Sequence, residues 1–177
     1  MNWLAEFRLE KGEVVRFRDV RPEDEPLIAE AISTASPQTL LHRFFSPIRK
    51  VSPELLRKML AIDRARELCV VGLVKIDGAE KIICGARYVR LLRPAAAEIA
   101  LTVHDRFQRR GLGGFMLKLL IDLGRAEGIR WFEADVMSSN AGMLRLLEKV
   151  VPVHNVWSTV GDVRHFVMDL DGLESRR

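Results

Sequence analysis

The 177-residue chain has two cysteines and one tyrosine, and no apolar run approaches the roughly 18–20 residues that cross a bilayer. Each shortage removes a class of protein. Cys69 and Cys84 lie in separate apolar, strand-like runs with no cysteine or histidine at ligand spacing, which argues against a disulfide framework and against a zinc site. Both are expected to be buried, inert thiols, and no metal is expected. Aromatics make up only 7% of the chain and do not cluster with the arginines, so the stacking platforms of nucleic-acid binders are missing. Glu6, Arg8, Glu10 and Lys11 interrupt the amino terminus where a targeting segment needs an uncharged apolar core, so a cytoplasmic protein with no membrane attachment is expected. No repeat, low-complexity tract or linker divides the chain. A hydrophobic content of 48% over this length suits one domain, 1–177, with a core from about Val14 to Leu170.

What is present is a periodicity that changes along the chain. Val14 to Arg18 alternates as a strand, and Arg21-Pro22-Glu23-Asp24-Glu25 then opens a helix with proline at its start and acids in its first turn. Leu27, Ile28, Ala31 and Ile32 give that helix a buried stripe. Pro37 opens a second short helix through Leu40, Leu41, Phe44 and Phe45, and Ser52-Pro53-Glu54 opens a third containing Leu55, Leu56, Met59 and Leu60. The basic and apolar residues from Leu40 to Lys58 read first as helix packing plus a solvated face, with the border of a substrate groove as the alternative. From Glu67 the period shortens. Leu68 to Ile76 and Lys81 to Leu92 read as strands joined by Asp77-Gly78-Ala79-Glu80, and Glu98 to Val103 reads as another. A helix from Leu112 to near Gly128, a strand from Trp131 to Val136 and a helix capped by Asn140 follow, then a terminal hairpin of Val153 to Thr159 and Val163 to Leu170. The strand–helix–strand unit demands a parallel crossover. The predicted fold is α/β (α+β): a mixed, mostly antiparallel central sheet with one parallel crossover, flanked by helices.

Between the strand ending at Val103 and the helix starting at Leu112 lies Gln108-Arg109-Arg110-Gly111-Leu112-Gly113-Gly114. Glycines let a backbone pass close to an anion, a helix N-terminus offers unpaired N–H groups, and the arginines add charge. With Arg106 and Lys118 nearby and only Asp105 opposing them, the segment suits a small polyanion such as a pyrophosphate. It is not a P-loop, because no Lys-Ser or Lys-Thr follows Gly113-Gly114.

These residues resemble the GNAT superfamily of acetyl-CoA-dependent N-acetyltransferases. Gln108, Gly111 and Gly113 match the family's cradle signature, and Asn140-Ala141-Gly142-Met143-Leu144-Arg145-Leu146-Leu147-Glu148-Lys149 is similar to its later helix. Within the family, Arg21-Pro22-Glu23-Asp24-Glu25-Pro26, Leu41-His42-Arg43-Phe44-Phe45 and Ala97-Glu98-Ile99-Ala100-Leu101-Thr102-Val103 are similar to Pat-type protein lysine acetyltransferases. No fused acyl-CoA-synthetase-like or cyclic-nucleotide-binding domain, as some Pat-type proteins carry, is expected.

The resemblance implies acetyl-CoA as co-substrate, with its pyrophosphate on the backbone of residues 109–114 and its 3′-phosphate within reach of Arg109 or Arg110. It implies that the pantetheine arm pairs with the edge of Leu101, Thr102 and Val103, assisted by Asn140, which also reads as a plain helix cap. A strand N–H in the same stretch would stabilise the oxyanion. Glu98 is the expected general base: it is an acid in an otherwise apolar strand just upstream of the cradle, where partial desolvation would favour proton acceptance. His104 is the competing base. Two positions depart from the family pattern: Leu147 stands where many members place a thiolate-protonating tyrosine, and Val151-Pro152 replaces a Gly-Phe. The expected acceptor is a protein lysine ε-amine. A small-molecule amine, or a non-catalytic module that binds coenzyme A as a sensor, are the alternatives.

Overall fold

The computed structural model describes residues 3–48, 50–150 and 156–175. Its strands are β1 (Ala5–Arg8), β2 (Val14–Asp19), β3 (Glu67–Ile76), β4 (Ala79–Arg90), β5 (Ala96–Val103), β6 (Trp131–Met137), β7 (Val156–Val160) and β8 (Val163–Asp169). Its helices are α1 (Glu25–Thr34), α2 (Pro37–Phe44), α3 (Pro53–Leu60), α4 (Leu112–Ala126) and α5 (Ala141–Val150). The strands form one eight-stranded sheet in the order β1-β2-β3-β4-β5-β6-β8-β7. Every neighbouring pair is antiparallel except β5 and β6, which α4 joins as a crossover.

Local chemistry sets the turns. Asp77 (φ 49) and Gly78 (φ 85) are both left-handed, so β3 and β4 meet through a two-residue turn that matches strand twist. The connection is thus shorter than the four residues expected, and Ala79 and Glu80 already pair. Helices cover both faces. One core cluster joins Phe17, Ile99, Phe132 and Met168 of the sheet to Leu112, Met116, Leu117 and Leu120 of α4 and to Leu144 and Leu147 of α5. The other packs Ile28, Ile32, Leu40 and Leu56 of α1–α3 against Val71, Leu73 and Ile82. At Gly124 the helix lies so close to the sheet that a Cβ would stand 2.6 Å from Phe132 Cζ.

The first strand escapes a reading of the sequence. β1 is four residues long, and its outward Glu6 and Arg8 look like interruptions of the amino terminus rather than the polar half of an alternation. Glu6 in fact pairs with Arg16 across the β1–β2 hairpin at 2.9 Å. β5 also begins earlier than expected, at Ala96, and β4 ends at Arg90 rather than Leu92. Of the terminal hairpin, Val153 to Asn155 lie outside the described residues, as do Val151-Pro152.

Candidate active site

Parallel pairing between β5 and β6 runs from Ala96↔Trp131 to Glu98↔Glu133 and stops. Beyond it, β5 continues along β4 to Val103, while β6 continues along β8 to Met137. The two strands part as a V. A cleft of about 270 Å³ opens between Ile99–Leu101 on one arm and Ala134–Val136 on the other. A strand edge without a neighbour presents unused N–H and C=O groups to whatever enters. Leu101 lines the cleft directly, Val103 packs its side chain toward α4, and Thr102 turns to the opposite face of the sheet.

Glu98 is the last residue of β5 that pairs with β6, and it lines the cleft where the two strands separate. Its side chain is exposed. The partial burial anticipated for it is not found, because the side chain projects into the open cleft where β5 and β6 part. An acid–base role there rests on position, not on desolvation.

The connection from β5 to α4 passes through a 3₁₀ turn at Asp105–Phe107, reverses at Arg109 (φ 58) and Gly111 (φ 85), and enters the helix at Leu112. Among the described residues, the backbone N–H groups of 111–114 find no intramolecular acceptor, and Phe115 N–H is the first to bond back, to Gly111 O at 3.0 Å. These donors cluster at the positive end of a 15-residue helix. Arg109 is exposed, and Arg110 lies with its guanidinium 5.5 Å from the Phe107 ring centroid. Gln108 braces the loop: its Nε2 donates to Val103 O and to Thr39 Oγ1, both at 3.0 Å. Unpaired amides, flanking cations and close-set glycines fit a pyrophosphate.

Across the cleft, Asn140 caps α5, its Oδ1 accepting from Met143 N–H at 3.1 Å, and it also lines the cleft wall. The cap reading therefore holds, and the amide NH₂ remains for a ligand. Leu147 is fully buried, and Tyr88 is buried on the α4 side with its ring centroid 6.1 Å from that of Phe132. Neither position can offer a phenol to the cleft.

Residues 35–151 match the Acetyltransferase (GNAT) family. The chain belongs to it. This GNAT protein is similar to an acetyltransferase of Pseudomonas aeruginosa, 31% identical over 142 residues that make up 80% of this chain and 75% of the relative. It is also 32% identical over 140 residues to acetyltransferase Pat of Mycolicibacterium smegmatis, covering 78% of this chain but 41% of that relative, so it spans less than half of the latter's length. Among solved structures, the GNAT domain of S. lividans Pat has the same fold, with a TM-score of 0.81 at 24% identity over 93% of this chain and 96% of that one.

In this GNAT fold the second helix enters the site, in line with the less favoured of the two readings of Leu40 to Lys58, the border of a substrate groove, and not with packing and a solvated face alone. His42, Arg43 and Phe45 line the cleft opposite Asn140. A web of hydrogen bonds holds α2 there. Asp105 accepts from Ser36 N–H at 2.8 Å, from Ser36 Oγ at 2.6 Å and from Thr39 Oγ1 at 2.8 Å. Burial alone would raise the Asp105 carboxyl, but these bonds hold it below the usual carboxylate range. Ser36 Oγ meanwhile caps α2 by accepting from Thr39 N–H at 3.1 Å. Burial lowers the His42 imidazole and the Arg43 guanidinium from their ordinary values. His42 Nε2 lies 3.1 Å from Ser139 Oγ, so α2 touches the turn between β6 and α5 across the mouth of the cleft. At the end of α2, Phe45 is left-handed (φ 54) and 45% exposed, an unusual state for an aromatic residue.

Beneath α1–α3 lies a second, apolar cavity of about 110 Å³, which shares Arg43 and Ala100 with the cleft. His104 faces this cavity and not the cleft; its Nε2 meets Thr34 Oγ1 at 3.1 Å and its Nδ1 accepts from Arg106 N–H at 3.4 Å. It acts as a loop cap. Cys69 and Cys84 are half-buried and buried, and burial pushes both thiols up, Cys84 to about 12.

Proposed function

We propose that this acetyltransferase takes its acetyl group from acetyl-CoA and transfers it to the ε-amine of a protein lysine by direct attack, as a single domain acting in the cytoplasm. One observation carries the reading: a V-shaped strand edge leads from an anion cradle at 111–114 to a carboxylate at Glu98. The cradle's N–H groups and α4 dipole would hold the pyrophosphate, with Arg109 and Arg110 beside it for the 3′-phosphate. The edge at Leu101–Val103 and the Asn140 amide would hold the pantetheine amides, and coenzyme A supplies the activated thioester.

A lysine amine with a pKa near 10.4 is only about one part in a thousand neutral at physiological pH, so its proton must be removed before it attacks. Glu98 faces the cleft and is free to accept that proton, directly or through water. A strand N–H along the β5 edge would stabilise the oxyanion that follows attack. Support for a protein acceptor comes from the resemblance to Pat-type enzymes and from the exposed Phe45 ring at the cleft mouth, which suits the chain flanking a lysine.

Incubating a deacetylated lysate with acetyl-CoA and the protein should add acetyl-lysine detectable by mass spectrometry, and Glu98→Gln should lower turnover at least tenfold with coenzyme A affinity kept. Acetylation confined to free polyamines or amino acids would replace the protein acceptor with a small-molecule amine. Binding of coenzyme A without turnover on any acceptor would make the chain a sensor, and equal turnover by Glu98→Gln would remove that residue from the base role.

A further inference from the structure

Transfer of an acetyl group from a thioester leaves a thiolate, and the residue that returns its proton has no obvious holder here. The usual tyrosine position is Leu147, which is fully buried, and Tyr88 is buried on the far face. Among the described residues, the titratable side chains that line the cleft are His42, Arg43, Glu98 and Asp135. Arg43 cannot serve, because a guanidinium stays protonated throughout the working range. Asp135 is exposed and already bonded to His165 Nδ1 at 2.7 Å, and Glu98 is committed to the incoming amine in the proposed function. That leaves His42. It is half-buried, it faces the cleft from α2, and its Nε2 is fixed 3.1 Å from Ser139 Oγ, next to the Asn140 that lines the opposite wall.

We propose that His42 is the proton relay of the reaction, carrying the proton of the attacking amine to the sulfur that leaves. The inference rests on the acetyl-transfer reading of the cleft. The Asp105 brace positions α2, and in the tautomer that the relay uses, Nε2–H of His42 donates to Ser139 Oγ, leaving Nδ1 as the proton acceptor. Glu98 first removes one proton from the ammonium and releases it to solvent. The neutral amine then forms its bond to the carbonyl carbon, and its N–H proton passes to Nδ1. As the C–S bond breaks, its electron pair stays on sulfur, and the sulfur takes the proton from the imidazolium. The products are the amide and a neutral thiol, and His42 returns to its starting state. Partial burial suits this cycle: it keeps the ring neutral at the start and makes its protonated form a stronger acid. Among the described residues, the charged groups that share the cleft with the ring are its neighbour Arg43 on α2, Glu98 on β5 and Asp135 on β6.

The test separates this role from the donor reading itself. His42→Gln should keep coenzyme A affinity within about twofold by calorimetry while kcat falls at least tenfold, and the acid limb of the kcat profile should lose its histidine inflection, which lies below the ordinary imidazole value. A kcat within threefold of wild type, with the limb unchanged, would overturn the relay. A second readout needs no turnover. The His42 imidazole resonance, followed by NMR, should titrate differently with coenzyme A bound than with desulfo-coenzyme A bound, because only the former places a thiol beside the ring. Identical titration in the two complexes rejects the relay, whereas failure to bind either compound rejects the donor reading instead.

Discussion

Gly111 shows how much of the cradle depends on one missing atom. Its φ of 85 lies in the left-handed region, and a Cβ there would approach Phe7 Cζ at 3.1 Å. A side chain would face both backbone strain of about 1–2 kcal/mol and an aromatic ring on β1 that must give way. Gly111→Ala is therefore expected to rotate the first turn of α4, misdirecting the amides of 111–114. Calorimetry should show coenzyme A bound roughly tenfold more weakly, a loss of about 1.4 kcal/mol. Unchanged affinity in a folded variant would show that the ligand does not rest on those amides. The turn that would form the cradle was readable because it carries its own glycines. Glu98 was readable as a lone acid in a strand, but its exposure was not, since that depends on which face of β5 the helices leave open. His42 lies in a segment similar to Pat-type enzymes, but its place in the cleft was not readable, as an imidazole on a short helix looks the same whether it meets solvent or a ligand.

At the scale of elements, the site is an assembly of α2 onto the β5–α4 connection, and Asp105 is the joint. Its carboxylate satisfies the N-terminal end of α2 through Ser36 and Thr39, while Gln108 continues the same chain of bonds to Val103 O. Removing the carboxylate strands several donors at once and should cost about 1–3 kcal/mol. Asp105→Ala should leave coenzyme A affinity near wild type, because the cradle amides remain, but lower kcat as α2 swings from the cleft. The His42 imidazole, released from part of its burial, should then titrate closer to its ordinary value by NMR. A stability loss with kcat and His42 both unmoved would make Asp105 a structural brace alone. Apart from β1, the helices and strands were legible from Pro37, Ser52-Pro53, the Asp-Gly turn and the shift from helical to alternating spacing. The docking of α2 was not, because the partners of Asp105 lie 66 and 69 residues away and no local pattern encodes them.

For the molecule as a whole, the sheet carries two helical layers, and one buried ion pair ties the start of the first layer to the second strand. Arg18 on β2 donates to both carboxylate oxygens of Asp24 at 2.7 Å, and Asp24 also accepts from Arg21 N–H at 2.8 Å. Both side chains are almost wholly buried. Burial would raise the Asp24 carboxyl, yet the hydrogen bonds from Arg18 and the Arg21 amide, and the Arg18 charge, hold it below its ordinary value. The folded chain thus binds the Asp24 proton less readily than the unfolded chain. Its contribution to stability is complete above an ordinary aspartate pKa of about 3.9 and is lost as pH falls through the lower folded value. Asp24→Asn removes the charge while keeping the shape, leaving Arg18 buried without a counter-ion, and should cost about 3–5 kcal/mol at neutral pH. In denaturant titrations followed across pH, wild type should weaken on acidification below pH about 4 more steeply than the variant, whose pair is already broken. Parallel pH dependence in the two proteins would mean that other carboxylates govern acid unfolding. Arg18→Met with Asp24→Leu would then separate pairing from packing: a double variant near wild-type stability indicates that the pair fixes where α1 begins rather than how firmly the fold holds.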